Sequence, residues 1–516
     1  MTSPNGPAVI GRSGGAANEA TAPPSPGTPR EFEAGPLWMR VLPPLAVLGV
    51  LLWGIQGPSF WRDESATLAA VQRPFGDMIR MLGHVDAVHG GYYMIMWAVA
   101  RLAGTGELAM RLPSVIAMII ATVAVAALGR RLVSPGAGFA AGMLFAILPE
   151  VSFYGQDARS YAMVAAAAAI ASYLLVRAMD AEPPGRPRWL LAYAAAILAL
   201  GILNVFALLI IPAHAVTVGL RCRAARSDRP ARVLALGWLA AVAAATVILS
   251  PLLLLAWRQR GQISWLKSSV NVGVSNVERL IGPPHMFVAV AVVLAAGLLI
   301  SALGGREKMR AAWPWRLPAL CVPWAILPAA ILMGISVFDH IYTFRYIFFS
   351  APAAALIGGA ALAALGRVLG TLALVIVALL AFHPQMGDRL PGGHGDNIRQ
   401  VDRIVAANMR PGDNVFYTNV NAESFGAAYP YGLGRLRDIA IGQPAIPSGT
   451  LAGRSVPRAV LRQRLAHVRR LWVVDINNIT RPPRLLRGTP LRKVFTWRTG
   501  DITLVLYTAR DSARPA

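Results

Sequence analysis

The sequence has few charged residues and almost no cysteine. Only 14% of its 516 residues are charged, whereas 55% are hydrophobic, and the mean hydropathy is +0.51. This composition excludes an ordinary soluble enzyme and is typical of a membrane protein with many spans. The two cysteines, Cys222 in a basic loop and Cys321 in an apolar run, cannot form a disulfide framework and lack the spacing of metal ligands.

Acidic residues are also scarce, with 25 Asp and Glu against 49 Lys and Arg, a formal charge of +24. In a soluble protein this excess would suggest nucleic-acid binding. Here most arginines up to Arg367 lie in short loops between apolar runs, where they indicate topology, so no nucleic-acid partner is predicted. The sequence contains no P-loop and no Rossmann glycine fingerprint, and therefore no nucleotide site is predicted either.

Apolar runs long enough, or nearly long enough, to cross a bilayer recur from Leu37 to about Phe382. They predict a polytopic α-helical membrane protein with about 11 spans. The predicted spans cover residues 37–57, 112–128, 137–151, 161–175, 189–202, 205–218, 234–256, 286–303, 317–337, 347–365 and 368–382.

Three regions follow from this pattern. Residues 1–36, rich in Pro, Gly, Ala and Ser, are predicted to be a disordered cytoplasmic tail, and residues 37–383 the membrane domain with a first outer loop at 58–108. Residues 384–516 alternate helical and strand-like patterns and are predicted to form a small extracytoplasmic α/β domain. Its predicted elements are a helix at 396–407 and strands at 414–419, 471–475 and 502–507.

The short apolar run at 94–103 decides the topology, because every later loop changes sides if it crosses. We interpret it as lying along the membrane surface, which leaves the arginine-rich loops in the cytoplasm. The acidic residues of the other loops then share the outer face, namely Asp63, Glu64, Asp77, Asp86, Asp157, Glu278 and Asp339.

The adjacent acids Asp63 and Glu64, directly after the first span, are the main candidates for catalysis. A carboxylate at the membrane boundary stays hydrated enough to ionise and accept a proton, unlike one deep in hydrocarbon. The alternative is that both acids only favour the start of a helix.

His89 and His340 could ligate a metal together with an acid, but there is no H-x-x-x-H pattern, so a metal is possible but unsupported and no cofactor is required.

Two arginines are candidates for substrate binding. Arg345, flanked by Tyr342 and Tyr346 at the mouth of a span, suits a phosphate because a guanidinium offers a planar pair of donors. Its alternative role is to anchor the helix end. Arg159 could orient Asp157 or bind substrate, or instead form a local ion pair at the start of the next span.

An ordered set of short motifs resembles the GT-C glycosyltransferases, specifically the superfamily of protein O-mannosyltransferases and lipid A aminoarabinose transferases. The resemblance extends over about residues 37–365. The motifs are Trp61-Arg62-Asp63-Glu64, His89-Gly90-Gly91-Tyr92-Tyr93, Met110-Arg111-Leu112-Pro113-Ser114, Gly155-Gln156-Asp157-Ala158-Arg159-Ser160-Tyr161 and Phe344-Arg345-Tyr346. The family usually has His/Lys-Pro-Pro before the aromatic pair, where this sequence has His89-Gly90-Gly91.

The resemblance implies an integral protein of the bacterial cytoplasmic membrane that takes a sugar from a polyprenyl-phosphate carrier at the outer face. The acceptor would be a hydroxyl of a lipid, glycan or protein, and mannose is the expected sugar, with a pentose next. It implies that Asp63 is the general base, with Glu64 beside it, and that the loop carrying Asp157 supports the site. Donor or acceptor binding is expected from His89, Tyr92, Asp157, Arg159, Tyr342, Arg345 and Tyr346.

Two other classes of function compete with a transferase. A transporter or lipid flippase also has many spans, but it places ionisable residues near the midplane, on broken helices in two related halves. The charges here are predicted at one face, and no similarity between halves is apparent. A membrane scaffold that presents the basic C-terminal domain leaves the clustered motifs unexplained. The sequence therefore favours an inverting glycosyltransferase.

Overall fold

The computed structural model describes residues 35–225, 229–262, 281–339, 341–476 and 484–509. The predicted tail, except for its last two residues, and the predicted outer-face residues Glu278 and His340 lie outside this part of the chain. Residues 34–516 belong to one compact unit, so the membrane helices and the C-terminal region are described together.

The first half of the chain is helical, with short helices between the first and second long apolar ones. The helices are α1 (Trp38–Leu52), α2 (Arg62–Val71), α3 (Phe75–Leu82), α4 (Gly90–Ala103), α5 (Glu107–Leu132), α6 (Pro135–Ile147), α7 (Pro149–Gly155), α8 (Tyr161–Asp180), α9 (Arg186–Leu203), α10 (Ile210–Ala224) and α11 (Arg229–Arg258).

The second half continues with membrane helices and ends in smaller elements. The helices are α12 (Pro284–Leu303), α13 (Gly305–Ala312), α14 (Arg316–Ser336), α15 (Ala351–Ala364), α16 (Gly366–Asp388), α17 (Ile398–Asn408), α18 (Phe425–Ala428), α19 (Ala445–Ser448) and α20 (Arg458–Ala466). The strands are β1 (Asn414–Tyr417), β2 (Arg437–Asp438), β3 (Ile441–Gln443), β4 (Arg454–Ser455), β5 (Arg470–Asp475), β6 (Leu491–Thr499) and β7 (Ile502–Ala509).

Each predicted span corresponds to an apolar helix of the structure, and the predicted polytopic helical fold is confirmed. Within the described ranges, 8 helices are long and apolar enough to cross a membrane: Glu107–Leu132, Tyr161–Asp180, Arg186–Leu203, Val205–Ala224, Arg229–Arg258, Pro284–Leu303, Arg316–Ser336 and Gly366–Asp388. Trp38–Leu52 and Phe348–Ala364 are shorter apolar helices. The remaining predicted span is the pair α6 and α7.

The span predicted at 137–151 is bent by 63° between α6 and α7. Leu148, between them, is extended (φ −62°, ψ 132°), and Pro149 begins α7. A proline disfavours the helical conformation of the residue before it, so the break has a local cause.

Helix α4 contains the short run whose interpretation decided the topology. Its 14 residues would extend about 21 Å as a helix, less than the hydrocarbon thickness of about 30 Å. It packs against α2, α5 and α9. It is not among the described helices that are long and apolar enough to cross a membrane, and its position along the membrane surface stays a prediction.

Small residues let the long helices approach at backbone distance. A Cβ added at Gly359 in α15 would lie 2.4 Å from the backbone nitrogen of Ala141 in α6. One added at Gly138 would lie 2.4 Å from the carbonyl oxygen of Ala126 in α5. Close packing of this kind is the usual source of helix association in lipid, where burial of apolar surface gives little driving force.

The C-terminal region contains a five-stranded sheet in the order β2-β1-β5-β7-β6. β2, β1 and β5 are parallel, whereas β7 pairs antiparallel with both β5 and β6. The predicted α/β character, the three predicted strands and the predicted helix are confirmed. Helix α17 covers one face of the sheet because Ile398, Val401 and Val405 recur at helical spacing and are fully buried.

Candidate active site

Helix α2 begins at Arg62, so Asp63 and Glu64 lie in its first turn. The Glu64 Oε2 accepts a hydrogen bond of 3.3 Å from the backbone nitrogen of Trp61, the residue before the helix. A glutamate at this position satisfies a backbone donor that has no partner inside the helix. Glu64 therefore has the helix-start role that the sequence left open as an alternative. The surroundings of Asp63 and Glu64 differ.

Glu64 is fully buried and held on both sides. Arg111 donates to Oε1 from Nε at 2.9 Å and to Oε2 from Nη2 at 2.8 Å, and the backbone nitrogen of Ala158 donates to Oε1 at 2.9 Å. With the bond from Trp61, the carboxylate accepts four hydrogen bonds, one for each of its lone-pair positions. It has no lone pair left for a substrate or a metal.

Arg111 extends this arrangement to the end of the first span. Its Nη1 donates to the carbonyl oxygens of Ile55 at 2.7 Å and Pro58 at 3.0 Å, and its Nη2 to that of Ser59 at 3.2 Å. The side chain is fully buried, like that of Glu64. The pair therefore fixes the connection between α1 and α2 to the first turn of α5.

Asp63, by contrast, faces an arginine from a distant part of the chain. Its Oδ2 forms an ion pair with the Nη1 of Arg345, and the two side chains are 23% and 20% exposed. Arg345 also lies over the ring of Trp61, with 5.8 Å from its guanidinium carbon to the ring centroid. Burial, the largest single influence, lowers the pKa of Arg345, but the Asp63 carboxylate together with Tyr161, Tyr346 and Tyr154 raises it above its ordinary value.

The two tyrosines near Arg345 pack rather than open to solvent. Arg345 lies on a 3-10 turn, Phe344–Tyr346. Tyr346 stacks on Phe206 with 4.3 Å between ring centroids, and Tyr342 is buried beside Leu332 and Ile347. Their contacts fix the turn that presents Arg345.

Asp157 lies in the loop between α7 and α8 and is fully buried. Its Oδ1 accepts a hydrogen bond of 3.0 Å from the indole nitrogen of Trp61, and Ser114 donates to its backbone carbonyl at 2.6 Å. Its Oδ2 has no hydrogen-bond partner among the described residues. Burial and the neighbouring Glu64 raise the pKa of Asp157 well above its ordinary range.

Arg159 binds the backbone of Asp63 rather than pairing with Asp157. Its Nη1 lies 3.3 Å from the carbonyl oxygen of Asp63 and 3.3 Å from the hydroxyl of Tyr93, and its Nη2 lies 3.1 Å from the Nε2 of His89. Since a guanidinium only donates, the His89 Nε2 must accept. Burial and the charge of Arg159 lower the pKa of His89, which agrees with a neutral ring.

The sequence predicted Tyr92 as a binding residue, but its neighbour makes the polar contacts. The hydroxyl of Tyr93 donates to Asp86 at 2.9 Å and receives Arg159. Tyr92 is fully buried, and its hydroxyl lacks a partner in the described ranges. Adjacent residues of a helix face different directions, so Tyr92 and Tyr93 meet different neighbours. The sequence alone could not show which of them would contact Arg159.

Gly91 sets how closely α4 approaches α9. A Cβ there would lie 2.1 Å from the Cγ2 of Ile202 and 2.8 Å from its carbonyl oxygen. The glycine that replaces the family's usual proline therefore permits a crossing at backbone distance. His89, Tyr92 and Tyr93 are close to Gly91 in the chain and lie next to this crossing.

One group of buried side chains has the types that bind metals: Glu64, Asp157 and His394, with one potential ligand atom each, all within 4.8 Å of one another. Glu64 already accepts four hydrogen bonds. Burial lowers the pKa of His394, and the positive charges of Arg111 and Arg389 lower it further. A further cation would be repelled, and we assign no metal to this group.

The site therefore brings together Asp63, Glu64, His89, Asp157, Arg159 and Arg345, with Tyr92 and Tyr346 near them, whereas Tyr342 lies in a separate apolar cluster. Sequence reasoning missed the roles of Trp61, Tyr93 and Arg111, although all three stand in the quoted motifs. It also missed His394, which no motif marked.

Comparison with known proteins finds a family model that matches part of the chain. Residues 91–255 match the family model described as dolichyl-phosphate-mannose-protein mannosyltransferase, which is less than half of the chain. The sequence matches none of the curated proteins with which it was compared.

Several solved structures share the fold. ArnT from Cupriavidus metallidurans in the apo state has a TM-score of 0.59 at 13% identity over 92% of this chain and 99% of that chain. The same protein bound to undecaprenyl phosphate gives 0.55 at 14% identity, with the same coverage. The oligosaccharyltransferase AglB from Archaeoglobus fulgidus, in complex with an inhibitory peptide and a dolichol-phosphate, gives 0.51 at 12% identity over 93% and 74% of the two chains.

Proposed function

We propose that this chain is a glycosyltransferase of the GT-C type, which transfers a sugar from a polyprenyl-phosphate donor to an acceptor hydroxyl, with inversion. The match of residues 91–255 to the mannosyltransferase family model and the fold shared with ArnT support this proposal. The observation that carries this proposal is the contact of Asp63 with Arg345. These residues lie 282 positions apart in the sequence. They form a partly exposed acid–guanidinium pair, whereas the charges around them are buried and engaged.

Arg345 is the proposed phosphate ligand. A guanidinium binds two phosphate oxygens at once, and it stabilises the charge that develops when a phosphodiester leaves as a phosphate monoester. Arg345 has the Asp63 carboxylate as a counter-ion. Donor binding would give it a second anion and free Asp63 to turn toward the acceptor.

Asp63 is the proposed general base. The acceptor oxygen attacks C1 of the sugar, the bond from C1 to the phosphate oxygen breaks, and that oxygen keeps the electron pair. Asp63 takes the acceptor's proton as the new bond forms, a contribution of about 10²- to 10⁴-fold. One displacement inverts the anomeric carbon, and Glu64, with every lone pair occupied, cannot act as a second nucleophile.

The other site residues hold this pair in place. Glu64 and Arg111 fix the first turn of α2, and Arg159 donates to the carbonyl oxygen of Asp63. His89, as the neutral acceptor of Arg159, keeps that guanidinium oriented. Asp157, buried and bound to Trp61, supports the ring over which Arg345 lies.

Mannose is the proposed sugar, since the matching family model is described by dolichyl-phosphate-mannose. The acceptor is a lipid, glycan or protein hydroxyl at the membrane surface. We place the site and the C-terminal sheet region on the outer face of the bacterial cytoplasmic membrane, because the arginine-rich loops lie at the other end of the helices. The charged residues of the site, Asp63 and Arg345, lie beside helix ends rather than in the middle of a span, which speaks against a transporter, whose ionisable groups lie near the midplane.

The test is transfer by the purified full-length protein from a panel of polyprenyl-phosphate sugars, with Asp63→Asn and Arg345→Ala. Asp63→Asn should bind donor but lose about 10²- to 10⁴-fold in turnover, and Arg345→Ala should lose donor binding. Asp77→Asn is the matched control, an acid of the same loop with a similar exposure of 21%, paired with Arg80. It should behave like the wild type.

Two results would contradict the proposal. Equal turnover by the wild type and Asp63→Asn would remove Asp63 as the base. A product that keeps the donor's anomeric configuration would exclude the single displacement.

A further inference from the structure

The segment after the last membrane helix packs against the residues that lead into Asp63. The Asp396 carboxylate accepts three hydrogen bonds from Arg62: from the backbone nitrogen at 3.0 Å, from Nε at 2.9 Å and from Nη2 at 2.9 Å. Asp396 is fully buried, and the Arg62 side chain is 26% exposed. Nearby, the backbone nitrogen of Ser59 donates to the carbonyl oxygen of Pro391 at 2.9 Å.

A second set of contacts holds the residues just before Ser59 and just after it. The hydroxyl of Tyr429 accepts a hydrogen bond of 2.8 Å from the backbone nitrogen of Phe60. The Nη2 of Arg399 donates to the carbonyl oxygens of Gln56 and Pro58, each at 3.0 Å. Backbone groups at 56, 58, 59, 60 and 62 are thus bound by the C-terminal region.

Arg62 is the first residue of α2 and the direct neighbour of Asp63. Backbone N–H groups of a first helical turn have no partner inside the helix, and a carboxylate there also interacts favourably with the helix dipole. Asp396, from another part of the chain, supplies both an acceptor for the backbone N–H of Arg62 and a negative charge at the start of α2. On the other side of Asp63, Arg111 and Ala158 hold Glu64.

We propose that Asp396 is a positioning residue for Asp63, and that the C-terminal region is thereby part of the framework of the active site. This inference rests on the proposed role of Asp63 as the base. Without the Asp396 charge, the Arg62 guanidinium loses its buried partner and the start of α2 is free to shift. A small displacement of a catalytic group is enough to slow the chemical step strongly.

The effect should fall on turnover rather than on donor affinity, because the proposed phosphate ligand, Arg345, is presented by a different segment. We expect Asp396→Asn to reduce kcat about 100-fold while the KM for the donor stays unchanged. Arg62→Gln should give a similar loss, and the double variant should lose little more, because the two side chains act as one unit.

Asp413→Asn is the matched control. Asp413 is 4% exposed, lies in the same region, and binds Arg470 at 2.8 Å and the indole nitrogen of Trp472 at 2.9 Å, away from α2. It should leave kcat unchanged. A wild-type kcat in Asp396→Asn, or an equal loss of kcat in Asp413→Asn, would overturn the proposal.

Hydrogen exchange of the backbone, followed by mass spectrometry, separates this inference from the proposed function. Amides at 59–66 should exchange faster in Asp396→Asn than in the wild type and Asp413→Asn. If the wild type transfers no sugar from any donor, the proposed function fails, but the exchange result still shows whether Asp396 holds the start of α2. Unchanged exchange at 59–66 would overturn the inference by itself.

Discussion

Two sets of ion pairs at opposite ends of the helix bundle differ in their access to water. At the site end, where Asp63 and Arg345 form a partly exposed pair, the neighbouring pair of Glu64 and Arg111 is wholly inaccessible to solvent. At the basic end, where α5 and α8 finish, Asp180 bridges Arg131 and Arg316, and these side chains remain 20%, 27% and 29% exposed. Carboxylate and guanidinium are thus paired without water in Glu64 and Arg111, and with partial access to water around Asp180.

This difference bears on what each pair does. Burying two charges costs several kcal/mol per ion, which their mutual attraction offsets only when the remaining hydrogen bonds are also satisfied. Glu64 and Arg111 meet that condition, and their position fixes the turn next to the proposed base. The pairs at the basic end stay hydrated and join helix ends, a role that tolerates change.

The largest effect should come from breaking the site-end pair. Arg111→Met leaves the Glu64 carboxylate buried without its partner, which should lower the free energy of unfolding by about 3–5 kcal/mol and abolish sugar transfer. Thermal unfolding in detergent, together with the transfer assay, measures both. Retained stability would mean that Glu64 finds another partner or takes up a proton at no cost.

A smaller effect is expected at the basic end. Asp180→Ala removes the bridge between Arg131 and Arg316, but both arginines keep access to water. The expected loss is about 0.2–1 kcal/mol for each pair, with transfer activity unchanged. If Asp180→Ala proved as damaging as Arg111→Met in the same unfolding assay, burial would not distinguish the two ends.

An effect that depends on pH should appear at a carboxyl outside both ends. Burial and the neighbouring Asp438 raise the pKa of Glu423, in the C-terminal region, to about 8. Because the folded state holds this proton more tightly than the unfolded state, stability should fall as the pH rises from about 4.5, the ordinary pKa, to about 8. Glu423→Gln cannot lose the proton, so it should raise the melting temperature at pH 8 and leave it unchanged at pH 4. A gain of equal size at both pH values would contradict the raised pKa.

Hydropathy and charge predicted the membrane fold because both report on a residue's contact with lipid or water. They placed each apolar helix, but the bend at Leu148 depended on one proline in a run that is otherwise uniform. Strand β6 was not predicted, since its exposed Arg492, Lys493 and Arg498 interrupt the apolar alternation of an edge strand.

The site was predictable where a charged residue stood in a motif, as with Asp63 and Arg345. The hydrogen-bond partners of these residues could not be predicted, because hydrogen bonds between distant segments leave no periodic pattern in the sequence. The bond from Arg62 to Asp396 spans 334 positions. Arg111 and Tyr93 were visible in the sequence, but only the structure shows that Arg111 belongs to Glu64 and that Tyr93, rather than Tyr92, meets Arg159.

The adjacent glycines at the start of α4 are equal in the sequence and unequal in the molecule. A methyl group at Gly90 would meet only Leu82, at an ordinary contact of 3.5 Å, whereas one at Gly91 would collide with the backbone of Ile202. Natural variation should therefore be permitted at the first position and forbidden at the second. In a library of variants at these two positions, substitutions should be tolerated at Gly90 and lost at Gly91. This result would test the close approach of α4 and α9 without a solved structure.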